Sequence, residues 1–238
     1  MQPTHQRSQL STSLDGMARP GCVEKAPDMN HPLRCRCGTL KGYVSRPEKV
    51  SRGVCYCKDC QAFAHFLGTP GDILDAMGGT DVVATLPKYV TFTQGVEVLA
   101  CMSLTENGLL RWYASCCNTP IGNTPRDVKV SHVGLVHTCL EDPPRTLESS
   151  FGLVRMRVNT KHAKGKPKSM RISTIALVLR FLISLIRARL DGSYKCTPFF
   201  APDRGTPIVP PKVLTSSERE RVMNAVLGHF ENAISPRG

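Results

Sequence analysis

Seven of the chain's eleven cysteines fall into three tight groups: Cys35-x-Cys37, Cys55-x-Cys57-x-x-Cys60 and the adjacent pair Cys116-Cys117. Closely spaced Cys-x-Cys pairs in extended chain are awkward disulfide partners, yet the same spacing lets a soft metal ion gather several sulfurs around one point. Structural zinc takes four such ligands in a closed tetrahedron, whereas catalytic zinc takes three and leaves a fourth position for water or substrate. Seven thiolates therefore suit two ions, one closed and one open.

The remaining composition narrows the class. The chain has 238 residues and 41% hydrophobic content, enough for a soluble core. A secreted disulfide scaffold is disfavoured by the odd cysteine count, by the length, and by residues 1–28, which lack the apolar run of a secretory signal. The thiols are expected to be reduced and the protein cytoplasmic. The formal charge of +12 is unevenly placed: residues 1–28 are neutral, residues 29–150 carry +1, and residues 151–238, with sixteen basic and five acidic groups, carry +11. Nucleic-acid binding by the cysteine-rich part has almost no electrostatic support, while the last third can attract acidic surfaces.

Alternation of apolar and polar residues predicts mainly β structure from residue 33 onward. Strands are expected within 33–44 around a Gly turn, at 53–57, 82–86, 89–93, 96–104 and 109–114, and within 128–138. Asn107-Gly108 reads as a hairpin turn. A brief helix is expected at 61–67. Cysteine pairs at hairpin ends are the usual way in which zinc clamps small antiparallel sheets. The polar, aperiodic residues 1–28 read as a disordered tail. Glu141-Asp-Pro-Pro144 places a boundary near 145, between a zinc-binding domain over 29–145 and a basic C-terminal extension over 146–238.

Within that extension, residues 170–190 are strongly apolar with a narrow polar line of Ser173, Arg180, Ser184 and Arg187 at helical spacing, which predicts a helix. It is a poor membrane span, because Arg180 would sit near the bilayer centre at a cost of about 3 kcal/mol. Burial against the protein, contact with a second subunit, or a place on a membrane surface remain. Residues 194–214 read as Pro-rich and extended, and Ser216 as the cap of a last helix.

In combination, Cys35-Arg-Cys37-Gly38, Cys55-Tyr-Cys57-Lys-Asp-Cys60 and Arg111-Trp-Tyr-Ala-Ser-Cys-Cys117-Asn-Thr-Pro120 resemble the glutathione-dependent formaldehyde-activating enzyme and centromere protein V family over about residues 30–140. The resemblance implies a β-tent fold with two Zn2+ ions. It implies that Cys35 and Cys37, with a late cysteine pair, hold structural zinc, and that Cys55, Cys57 and Cys60 hold a catalytic ion. The late motif departs from the family pattern of Cys-x-x-Cys-Gly, since Ala114 stands where the first cysteine belongs and Asn118 where the glycine belongs. Cys117 matches the second cysteine. Cys116 is then the expected fourth ligand, which requires altered backbone, because neighbours on a regular strand point to opposite faces.

The activity implied by the resemblance is that of a carbon-sulfur lyase or synthase acting on small thiol–aldehyde adducts, with a small thiol such as glutathione as substrate. The other reading is a non-enzymatic zinc-stabilised interaction module whose basic extension binds a partner or an anionic surface. His65 is a candidate fourth ligand for the central site, although such a histidine is more often simply polar and part-exposed. Lys58 and Asp59 can orient substrate or stand in solvent. Cys22, Cys101, Cys139 and Cys196 lack partners at metal spacing and read as core or incidental thiols.

Overall fold

The computed structural model describes residues 30–168 and 174–234, with the backbone alone for 174–178, 180 and 229–234. The expected N-terminal tail lies outside the described residues. In chain order the strands are β1 (His31–Arg34), β2 (Lys41–Val44), β3 (Ser51–Cys55), β4 (Thr80–Thr85), β5 (Val90–Gln94), β6 (Leu99–Ser103), β7 (Leu110–Ala114), β8 (Thr119–Thr124), β9 (Val133–Val136), β10 (Met156–Val158) and β11 (Lys212–Val213). The α-helices are α1 (Lys58–Phe66), α2 (Pro70–Ile73), α3 (Leu147–Phe151), α4 (Thr174–Leu190) and α5 (Ser216–Ile234).

The fold is mainly β, as the alternation predicts. A small antiparallel sheet has the order β1-β2-β5, and a large mixed sheet has the order β10-β3-β4-β9-β8-β7-β6-β11. Among the described residues only the two edge strands, β10 beside β3 and β11 beside β6, pair in parallel. The expected strand over 128–138 shortens to β9. β8 was not expected at all, because its sequence Thr-Pro-Ile-Gly-Asn-Thr carries a proline and a glycine. Pro120 is accommodated where the β7–β8 register shifts between Trp112 and Tyr113, so its missing N–H falls at a bulge. Gly122 is required by crowding, since a Cβ there would lie 2.9 Å from the carbonyl oxygen of Gly134 on β9.

Residues beyond the expected boundary at 145 share this architecture. β10 and β11 extend the large sheet at opposite edges, and Phe199 and Phe200 enter the core against Trp112, with ring centroids 5.2 and 6.3 Å away. Both phenylalanines are buried, and each contributes roughly 2–3 kcal/mol by removing apolar surface from water. The prolines at 143 and 144 end one element without ending the core. Beyond β11, α5 packs over α1, with Val226 buried beside Ala62, Phe63, Leu67 and Leu214. Its cap is Thr215, not Ser216. The Thr215 hydroxyl accepts the Glu218 N–H at 3.2 Å and the Glu218 carboxylate accepts the Thr215 N–H at 3.0 Å, a reciprocal capping box.

The long apolar helix forms as expected over its described part, but it lies largely open. Ala188 is buried and the Phe181 ring meets His132 at 4.9 Å, while Leu179, Leu182, Ile183, Ile186 and Leu190 are exposed. No described helix is long and apolar enough to cross a membrane. Cys101 and Cys139 are buried core thiols, as expected, whereas Cys196, read from the sequence as incidental, is disulfide-bonded. Cys22 lies outside the described residues.

Two outcomes follow from this packing. Removal of residues 151–238 uncovers Trp112, two sheet edges and α1, so the truncated chain should aggregate; a soluble, monomeric truncation in size-exclusion chromatography would contradict the shared core. Burial pushes the His132 imidazole down to about 4, so on acidification the unfolded chain takes up its proton first. Stability is then unaffected above the unfolded value near 6.5 and falls between there and about 4, with a loss of roughly 2 kcal/mol by about pH 5. Urea unfolding of the wild type and of His132→Gln at both pH values should show that the variant lacks this part of the loss.

Candidate metal centres

The first centre is built from two turns. Cys35 and Cys37 lie in the turn that joins β1 to β2, and Cys116 and Cys117 in the turn that joins β7 to β8. Their four sulfurs all lie within 4.8 Å of one another. Individual separations are 3.5 Å for Cys35–Cys37, 3.8 Å for Cys35–Cys116, 3.2 Å for Cys37–Cys116 and 3.7 Å for Cys116–Cys117. Zinc–sulfur bonds of about 2.3 Å in a regular tetrahedron set sulfurs about 3.8 Å apart, so the donor set fits a closed ion with little adjustment. Cys116 reaches the cluster because 115–118 is a turn, where the alternation of a strand no longer applies.

The two turns use one local device. Gly38 in Cys37-Gly38-Thr39 and Asn118 in Cys117-Asn118-Thr119 both have left-handed backbone, with φ of 77° and 53°. Glycine has no steric objection to that region and asparagine tolerates it, which explains how Gly38 and Asn118 can hold equivalent places in the two turns. In each case the turn brings the threonine hydroxyl back to its cysteine, at 3.2 Å for Thr39 and Cys37 and 3.0 Å for Thr119 and Cys117. The Leu40 N–H adds a donor to Cys35 at 3.3 Å. Donors of this kind favour thiolate over thiol, and the Thr39 hydroxyl and N–H hold Cys37 down at about 6. Arg36 links the two turns, donating from its backbone N–H to the Thr119 hydroxyl at 3.0 Å and from its guanidinium to the Cys117 carbonyl at 3.1 Å.

The second centre sits at the junction of β3 and α1. Cys55 ends the strand, Cys57 caps the helix and Cys60 lies in its first turn. The Cys57 sulfur accepts the Cys60 N–H at 3.3 Å, so the local fold of the helix start also sets the spacing of the ligands. The three sulfurs lie within 4.8 Å of one another, and no other described His, Cys, Asp or Glu joins them. His65, the candidate fourth ligand, is not in the group. Asp59 is exposed and faces Arg111 at 3.7 Å.

Three thiols in one small volume cannot all ionise without a cation among them. Hydrogen bonds from Cys57 and Cys60 hold Cys55 far below the ordinary thiol range, while the same contacts, with burial, push Cys60 well above it. A metal ion would satisfy all three as thiolates. Two residues absent from the sequence-level candidates support that charge. Asn159, itself left-handed at φ 56° just after β10, donates its side-chain amide to Cys55 at 3.6 Å. Arg111, buried on β7, directs its guanidinium to Cys60 at 3.9 Å and is held by Asn123 at 3.2 Å and by the Phe63 ring at 5.5 Å. A lone arginine inside the apolar run Leu-Arg-Trp-Tyr-Ala was a legible signal, since a buried charge requires a partner. Asn159 gave no such signal, because it is brought in by pairing more than a hundred residues away. A surface cleft of ≈ 180 Å³ lined in part by Val128, Lys129, Tyr194 and Lys195 includes none of these cysteines.

Metal analysis of the purified protein should give close to two zinc ions per chain. Cys116→Ala should lose one, with marked destabilisation because two turns come apart. Cys57→Ala should lose the other and remain folded, at a cost of about 1 kcal/mol for the cap. Retention of both ions in Cys116→Ala, read by inductively coupled plasma mass spectrometry, would remove Cys116 from the closed set.

Comparison with known proteins gives a family and little more. No curated protein matches the chain. A crystal structure of a Rhodobacter sphaeroides protein, a structural genomics target, is 16% identical, with 47% of this chain and 91% of that chain covered and a TM-score of 0.32, too slight a likeness to carry an argument. Residues 28–208 match a family of unknown function, DUF6151. That span contains both cysteine clusters, Arg111, Asn159 and the phenylalanines at 199 and 200, and the chain belongs to this family.

Proposed function

We propose that the three-cysteine centre is an open zinc site that makes or breaks a carbon–sulfur bond in small thiol–aldehyde adducts, in the manner of the glutathione-dependent formaldehyde-activating enzymes whose motifs the chain resembles. One observation carries the reading. Of two cysteine clusters in one domain, the first supplies four sulfurs and the second supplies three with no further ligand among the described residues. A filled tetrahedron suits a structural role, and a three-ligand set suits exchange at the remaining position.

When bound there, zinc would supply a Lewis acid and a position at which a substrate thiol loses its proton near neutral pH. The chain's own residues do the rest. The Cys60 N–H and the Asn159 amide hold two of the ligand thiolates in place, and the guanidinium of Arg111 offsets part of the net negative charge of three thiolates around a divalent ion. In the forward direction the thiol sulfur adds to the aldehyde carbon, the carbon–oxygen double bond becomes a single bond, and the proton leaves sulfur for the new hydroxyl. Cleavage runs the same atoms in reverse. Lys58 and Asp59 are exposed at the start of α1, and under this proposal the Lys58 ammonium would be the group to contact a carboxylate of a thiol such as glutathione.

The test is turnover of formaldehyde with glutathione by the zinc-loaded protein. Activity should depend on zinc and should vanish in Cys57→Ala while the closed-site ion and the fold persist. Absence of turnover across a panel of small thiols by the fully loaded protein would favour instead a zinc-stabilised interaction module.

A further inference from the structure

α4 presents its apolar side to solvent. Leu179, Leu182, Ile183, Ile186 and Leu190 recur at helical spacing, fall within about 100° of one another around the helix axis and are all exposed, Ile186 at 57% and Leu190 at 83%. The opposite side is the one that meets the protein, through buried Ala188 and through Phe181 against His132. Five large aliphatic side chains in one exposed stripe exceed what scattered surface residues account for. The two exposed arginines of the last turn, Arg187 and Arg189, fall on either edge of this stripe.

Charge decides between the occupants. α4 contains three arginines and no acidic residue. The acid that follows it, Asp191, is turned back onto the Ser193 N–H at 2.8 Å. A second copy docked about a two-fold axis would set one helix with three arginines against another, with no acidic residue on either helix to offset them. An anionic bilayer meets both demands at once. Its acyl boundary takes an apolar side to a depth of about 5–10 Å, and its headgroups take the flanking cations. The +11 carried by residues 151–238 adds attraction of the same sign.

We propose that α4 lies in the interface of an anionic membrane, with the stripe from Leu179 to Leu190 inserted and Arg187 and Arg189 on the headgroups, so that the metal centres work at a lipid surface. The helix is an external anchor of the folded protein, distinct from a span. This inference is independent of the chemistry assigned to the three-cysteine centre.

Co-sedimentation of the full chain with vesicles tests it. Binding is expected to phosphatidylcholine vesicles that contain phosphatidylserine, to be weak to phosphatidylcholine alone, and to fall as salt is raised. The double variant Ile183→Glu, Ile186→Glu should lower binding by roughly tenfold or more. Arg187→Gln and Arg189→Gln should each lower it by about fivefold on the anionic vesicles only. All four positions are exposed, so the variants should keep the far-ultraviolet circular dichroism and the zinc content of the wild type. The proposal is overturned if the wild type fails to partition onto anionic vesicles, if partition is indifferent to these substitutions, or if sedimentation equilibrium shows a dimer that Ile183→Glu dissolves.

Discussion

The convergence of four sulfurs from two hairpin turns is the constraint on which the other arrangements rest. One turn belongs to the small sheet and the other to the large sheet, so the cluster is the point at which the two are tied. Each turn is closed by the same device, a left-handed residue between a cysteine and a threonine, which points the sulfur inward and supplies a hydroxyl to it. The tie also reaches the other centre. β7 runs from Arg111, beside Cys60, to the turn that holds Cys116 and Cys117, so one short strand connects a closed cluster at its end with an open one near its start.

That connection gives the buried arginine a physical role. An unpaired guanidinium in a protein interior is costly, and an anionic thiolate cluster in the same interior is costly as well; placed together, each reduces the penalty of the other. A neutral amide and an aromatic ring hold the buried part of Arg111, and its one carboxylate contact, Asp59 at 3.7 Å, is solvent-exposed, so the guanidinium divides its charge between that carboxylate and the sulfurs. The second support, Asn159, arrives from beyond the point where the sequence suggested that the core had ended. The open centre therefore depends on residues of both the cysteine-rich part and the C-terminal third.

The limits of the linear pattern are visible in particular residues. Alternation located most strands of the cysteine-rich part but missed β8, because Pro120 and Gly122 read as breakers when considered locally. Their neighbours across the sheet, a register shift in β7 and a close carbonyl on β9, make them tolerable there. The proline pair at 143 and 144 suggested a boundary for a sound local reason, yet it cannot report that Phe199 and Phe200 return to the same core. Helical spacing found the apolar helix but not which of its sides meets the protein.

By itself, the sequence determined the chemistry available to this protein: soft-metal ligands in three groups, a four-to-three division of seven cysteines, mainly β structure, and a basic, partly apolar C-terminal third. These are properties of residue type and short-range spacing, which the chain carries however it is folded. Only the tertiary structure decided that Cys116 and Cys117 both join Cys35 and Cys37 in one cluster, that Arg111 and Asn159 attend the three-cysteine cluster, and that the C-terminal third completes the core while one helix side stays in solvent. Each of these depends on contacts between distant segments, and such contacts are set by turn geometry and packing, which short-range spacing does not encode.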